Sequence, residues 1–233
     1  MTGAVAIMMA EDEEGADAFR GVFRSLNEVL VEADHPPHNE PEQLESTDTF
    51  QAQLWGYSGL HYLRRVAAYL TLEGRLPDSE PVEGAADDPV LQRLYARYDD
   101  YLNHSGKGLR QMLRRAPVKP QFEHLMLHSD AEGVYIPCTL ADVIFDRAQP
   151  QREGLGGMVG SSLSLLSECR HIGAALSLPD DLDPESDEVW ENADALPAVG
   201  EPWQRFGITT FVLTRLIRAC ELSKRTGAAV VFT

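Results

Sequence analysis

The chain has 233 residues, 43% of them hydrophobic, with 37 acidic against 20 basic side chains and a net charge of -17. That length supports one sizeable core, and no apolar run approaches the roughly 18 residues that a membrane-spanning helix needs. The acidic balance argues against general nucleic-acid binding, because a phosphate backbone would be repelled by most of the surface.

Residues 3–9 are a short apolar run that predicts a buried strand. No basic residue precedes it and it runs into Glu11–Glu14, so it is not expected to be a secretory signal. Phe19, Val22, Phe23, Leu26, Val29 and Leu30 recur at helical spacing, predicting a helix from Gly15 to about Ala33. His35-Pro36-Pro37 stops it and opens a loop to Pro41. A second helix is expected from about Asp48 to Glu73, closed by Gly74. A polar loop runs from Pro77 to Pro89, where a third helix begins, with Leu91, Leu94, Tyr95, Tyr98 and Leu102 inward. Ser105-Gly106 breaks it, and Leu109 to Ala116 reads as a short basic helix.

From Phe122 onward the pattern changes. Phe122–His128 and Val134–Cys138 are apolar runs around Ser-Asp-Ala-Glu-Gly, a hairpin signal with Gly133 available for positive φ. Thr139 is placed to cap a short helix over Leu140–Phe145. The Gly-rich stretch Gly154–Ser162 reads as a loop opening a helix from about Ser162 to Leu176, followed by an acidic loop over 178–201. A last helix is expected from Gly207 to Arg225, then a strand over Ala228–Phe232. The predicted fold is α+β, with about six helices packed on a small, mainly antiparallel sheet. We read residues 1–233 as a single domain, with about 10–118 as a helical subdomain and about 119–233 as the α+β part.

Charge is segregated along the chain. Residues 10–50 hold twelve acids against Arg20 and Arg24; residues 178–201 hold nine acids and no base; residues 93–119 hold seven bases against Asp99 and Asp100. Cys138, Cys169 and Cys220 are few, odd in number and set among apolar residues, which suits free thiols in a reducing cytoplasm.

Two candidate sites stand out. In the first, His124 and His128 lie four apart, on one face of either a helix or a strand. With Asp130 and Glu132 they could supply metal ligands, but the glutamate of a zincin helix is missing, so no metal or cofactor is expected. His128, Ser129 and Asp130 are consecutive, so their side chains diverge and cannot form a triad; Ser129 and Asp130 suit a turn. Gly157, Gly160, Ser161 and Ser162 could cradle an anion at a helix N-terminus, or permit a close helix–strand approach capped by serine. The second candidate is a contact surface formed by Asp181, Asp183, Glu185, Asp187 and Glu188, with Trp190 and Trp203 as aromatic anchors.

The segments His128-Ser-Asp-Ala-Glu-Gly-Val-Tyr-Ile-Pro137 and Gly156-Gly-Met-Val-Gly-Ser-Ser162 resemble those of a bacterial protein family, over roughly residues 120–233. That resemblance implies no activity for any residue here. The residues themselves favour a non-enzymatic cytoplasmic binding protein, most concretely an immunity-type or inhibitor protein whose acidic surface covers a basic partner such as a nuclease toxin. The alternative is a metal- or anion-dependent enzyme centred on His124, His128 and Asp130 with the Gly157–Ser162 loop. A third reading is an acidic mimic of nucleic acid that blocks a DNA-binding protein, which requires its carboxylates to line a continuous face.

Overall fold

Alternation along the buried strand β1 (Gly133–Ile136) sorts the core into two layers. Val134 and Ile136 join Val5, Phe23, Leu26 and Leu30 on one side, whereas Tyr135 joins Leu63, Leu94, Leu165 and Phe211 on the other. The first layer is built by helices α1 (Ala4–Glu11) and α2 (Glu13–Glu32). The second is built mainly by α3 (Gly59–Glu73), α4 (Pro89–His104), α6 (Ser162–Ala175) and α9 (Gly207–Thr226). Three further helices, α5 (Glu123–Met126), α7 (Asp187–Asp194) and α8 (Pro202–Arg205), complete the nine among the described residues. The computed structural model describes all residues except 55, 57, 105–118, 120, 148–151, 153 and 196–198. The basic helix expected over Leu109–Ala116 lies outside the described residues.

The sheet runs β2 (Ile144–Phe145), β3 (Met158–Ser161), β1, β4 (Val230–Phe232). Its two outer pairings are antiparallel, but the central pair β1–β3 is parallel. The fold is therefore α+β with a mixed sheet and more helices than expected. No hairpin forms around Gly133. Residues 123–126 are helical instead, because the Glu168 carboxylate accepts the backbone N–H groups of His124 and Leu125 at 3.1 and 2.8 Å and so caps that turn.

Other differences have equally local causes. The run at 3–9 is helix α1, since alanine and methionine favour helix and a uniformly apolar run carries no period to decide. Only Thr2 remains strand-like, bridging Phe50 and Val230. That bridge also shortens the second predicted helix. Thr2 and Phe50 exchange backbone hydrogen bonds of 2.7 and 3.2 Å, which holds Phe50 extended, and α3 begins only at Gly59. The helix expected over Leu140–Phe145 is absent because side chains claim its backbone. Lys119 Nζ donates to the Ala141 carbonyl at 2.6 Å, and Glu123 accepts the Val143 N–H at 3.2 Å.

Several boundaries agree with their capping residues. The Asp12 carboxylate accepts the N–H groups of Glu14 and Gly15 to start α2. Asp88 accepts the Val90 N–H at 2.8 Å ahead of Pro89. Ser161 accepts the Ser164 N–H at 3.1 Å to start α6. Gly74 and Gly227 end α3 and α9 in the left-handed conformation.

Candidate functional site

The histidine cluster is buried and its polar groups are largely spent on the fold. His128 stacks on Tyr135 with ring centroids 3.9 Å apart, and its Nδ1 lies 3.1 Å from the Ser129 carbonyl. It fits beneath Gly133 because a Cβ there would sit 2.1 Å from its ring. His124 Nδ1 accepts the backbone N–H of Ser161 at 3.0 Å. Burial pulls both imidazoles down to a pKa of about 4, so they are neutral near pH 7. The remaining polar residues face elsewhere. Ser129 Oγ accepts the N–H groups of Ala131 and Glu132, holding the turn. Asp130 does not cap a turn; it pairs with the buried Arg64 and with His61 at 3.1 Å. Glu132 is exposed.

The Gly-rich stretch is not an open loop. Residues Met158–Ser161 are strand β3, and Gly160 passes directly under the Tyr135 ring, where a Cβ would meet ring carbon at 2.3 Å. Gly157 is buried, and its carbonyl accepts the Asp146 N–H at 2.8 Å. Ser161 Oγ donates to the Cys138 carbonyl at 2.6 Å, and Ser162 Oγ pairs with Ser223 Oγ at 2.8 Å. Among the described residues no group of three His, Cys, Asp or Glu is arranged to hold a metal ion. The fold brings His124 and Ser161 together, through a backbone bond inside the core.

The acidic segments behave differently from each other. In the first, most carboxylates already have structural partners. Arg20 holds Asp17 and Glu42, Arg152 holds Glu28 and Glu32, and Arg225 holds Asp48. Asp12 caps α2, and Glu40 pairs with His38 at 2.7 Å and accepts the Ala229 N–H. In the second, Asp180, Asp181, Asp183, Glu185, Asp187, Glu188, Glu191, Asp194 and Glu201 are all exposed. Only Glu185 has an ion-pair partner among the described residues, Arg215 at 2.9 Å.

Helix α7 carries the centre of this second segment. Ser186 caps it by accepting the Val189 N–H, and Val189 and Ala193 face the core. At about 100° per residue, Asp187, Glu191 and Asp194 fall within an arc of about 60° on the side away from those two. Glu191 and Asp194 sit toward the C-terminal end, which has no basic residue in its last turn. Negative charge there opposes the helix dipole, so helix stability does not account for it.

The two tryptophans separate. Trp203 is 7% exposed and packed in the main core, so it offers no contact surface. Trp190 is 42% exposed, with its ring 4.7 Å from Phe211 in an edge-to-face arrangement. Beneath it lies Arg215, 2% exposed, whose guanidinium sits 3.5 Å from the centre of the Phe211 ring and 5.0 Å from that of Trp190. Arg215 was not legible as important from sequence. Its only signal was being a base amid the apolar face of the last helix.

No helix among the described residues is long and apolar enough to cross a membrane. The chain matches the family described as "Putative DNA-mimic protein" over residues 1–232, and it belongs to that family. No curated protein and no solved structure matches it at a significant level.

Proposed function

With membership of a DNA-mimic family as the premise, we propose that this protein occupies the DNA-binding surface of a basic protein partner, presenting the carboxylates of α7 and its flanking loop in place of phosphates. The observation that carries this reading is the solvent face of α7. Asp187, Glu191 and Asp194 span the eight residues of α7, seven rises of 1.5 Å or about 10 Å of helix axis. One DNA strand places a phosphate about every 3.4 Å of axis, so the same length covers about three phosphate spacings. Exposure and lack of compensation both support the role, since ion-paired carboxylates would not offer their charge to a partner. Asp181, Asp183 and Glu188 are further exposed carboxylates of α7 and its flanking loop, and Trp190 adds an exposed apolar surface on the helix.

A basic toxin neutralised by an immunity-type protein would satisfy the same charge pattern. A nuclease toxin, itself a nucleic-acid-binding protein, is one member of the partner class rather than a rival to it. The enzymatic alternative loses its support, because His124, His128 and the Gly157–Ser162 segment are committed to the core. Affinity capture at low salt, followed by titration of the captured protein with this chain across ionic strengths, tests the reading. Binding is expected to fall steeply with salt and to be weakened by D187N/E191Q/D194N. Salt-insensitive binding that survives those changes would overturn it.

A further inference from the structure

Beside the acidic helix lies a cleft of about 990 Å³ between the 178–185 loop and helices α6 and α9. Leu178, Leu182 and Ile217 give it an apolar floor, all three half-buried against the main core. Asp180, Asp181, Asp183, Glu185 and Glu221 stand around it against Arg170 and Arg218, five carboxylates to two guanidinia, or -3. Arg170 is already paired with Glu221 at 2.9 Å and Glu185 with Arg215. Asp183 accepts the Glu185 N–H, which steadies the loop. Asp180 and Asp181 have no ion pair among the described residues, and they set the charge of the entrance.

We propose that this cleft takes an arginine side chain from a basic segment of the partner, with its aliphatic stem on Leu178, Leu182 and Ile217 and its guanidinium at Asp180 and Asp181. The inference rests on the DNA-mimic reading and names the kind of residue that reading engages. Charge complementarity selects a cation, and the apolar floor selects which cation. A lysine ammonium is strongly hydrated and loses more on entering such a cleft, whereas guanidinium is weakly hydrated and its planar fork matches carboxylates. The cleft and the α7 face are continuous through the chain, because the loop that lines one leads directly into the other. Arg215 joins them physically by pairing with Glu185 on the cleft and packing under Trp190 on α7.

Fluorescence anisotropy with labelled octa-arginine and octa-lysine at low salt tests this. The unaltered protein is expected to bind octa-arginine at least ~10-fold more tightly, since charge alone treats the peptides alike and the cleft does not. Ile217→Lys, which places a cation on the cleft floor, should bring the two affinities to within ~2-fold of each other. D180N/D181N, confined to exposed side chains, should do the same and guards against misfolding of the first variant. D187N/E191Q/D194N should weaken both peptides equally and preserve the preference. Equal affinities in the unaltered protein, or a preference that survives both cleft variants, would overturn the inference. The DNA-mimic reading would stand in either case if the α7 variant still abolished competition with DNA.

Discussion

Arg215 Nη2 lies 2.9 Å from Glu185 Oε1, joining an almost wholly buried guanidinium on α9 to an exposed carboxylate in the acidic loop. The same guanidinium lies over the Phe211 ring and beside that of Trp190. Its stem and plane therefore act as packing material beneath the acidic face, and the charge is a secondary contribution. Arg215→Ala is expected to cost about 2–4 kcal/mol through the lost packing. Arg215→Met, which refills the space without the charge, should recover most of that loss. Chemical denaturation of the two variants distinguishes them; equal destabilisation would mean that the ion pair dominates.

Two identical substitutions at helix glycines should have opposite signs. Gly207 opens α9 where a Cβ would sit 1.9 Å from the Asn192 carbonyl oxygen of α7, so Gly207→Ala must push the two helices apart. A loss of about 1–3 kcal/mol is expected. At Gly21, within α2, the nearest atom to an added Cβ is the tip of Arg24 at 3.9 Å. Gly21→Ala should therefore stabilise the protein by about 0.5–1 kcal/mol, the ordinary helix preference for alanine. Thermal melts of the two variants check both signs.

Acid sensitivity follows from the buried histidines. Both have folded pKa values lowered to about 4 from 6.5, so the stability they contribute is complete above pH 6.5 and is lost as pH falls toward 4. Each is worth on the order of 3 kcal/mol at most over that window. Glu168 runs the other way. Burial raises it to about 7 from 4.5, so its contribution is present below pH 4.5 and lost as pH rises through 7. The difference between the unaltered protein and His128→Gln isolates one histidine. The variant should be less stable at pH 7 and lose less on acidification to pH 4; parallel profiles would contradict the assignment.

Removing the charges of α7 should leave the fold intact. Asp187 favours the helix N-terminus, but Glu191 and Asp194 stand toward the unfavourable end, so D187N/E191Q/D194N should change stability by no more than about 1 kcal/mol. Denaturant titration checks this. A large loss would mean that these carboxylates serve the structure, and the interaction role would have to be abandoned.

What could be seen in the sequence followed periodicity and caps. The α2 stripe, the Pro89 start, the Ser161 cap and the Gly74 stop all survive in the structure because each is set by neighbours within a few residues. What could not be seen depended on distant partners. Glu168 turns residues 123–126 into helix from more than forty positions away, and Thr2 holds Phe50 extended from across the chain. The two acidic segments carry nearly the same charge as strings of letters. Their partners separate them: arginines from three regions neutralise the first, and among the described residues Arg215 alone forms an ion pair with the second. Composition does not report burial, so it left the histidine pair open between a site and the core, and the anchoring role given to Trp203 failed for the same reason.

The central claim is that the exposed carboxylates of α7 take the place of DNA phosphates. Competition tests it most directly: the captured basic partner is loaded with a labelled DNA duplex and titrated with this protein and with D187N/E191Q/D194N. The account predicts that the unaltered protein displaces the duplex fully and that the variant requires at least ~10-fold more protein, consistent with losing three phosphate-like contacts. A ternary complex of partner, duplex and protein, or a variant that displaces DNA as well as the original, would contradict it.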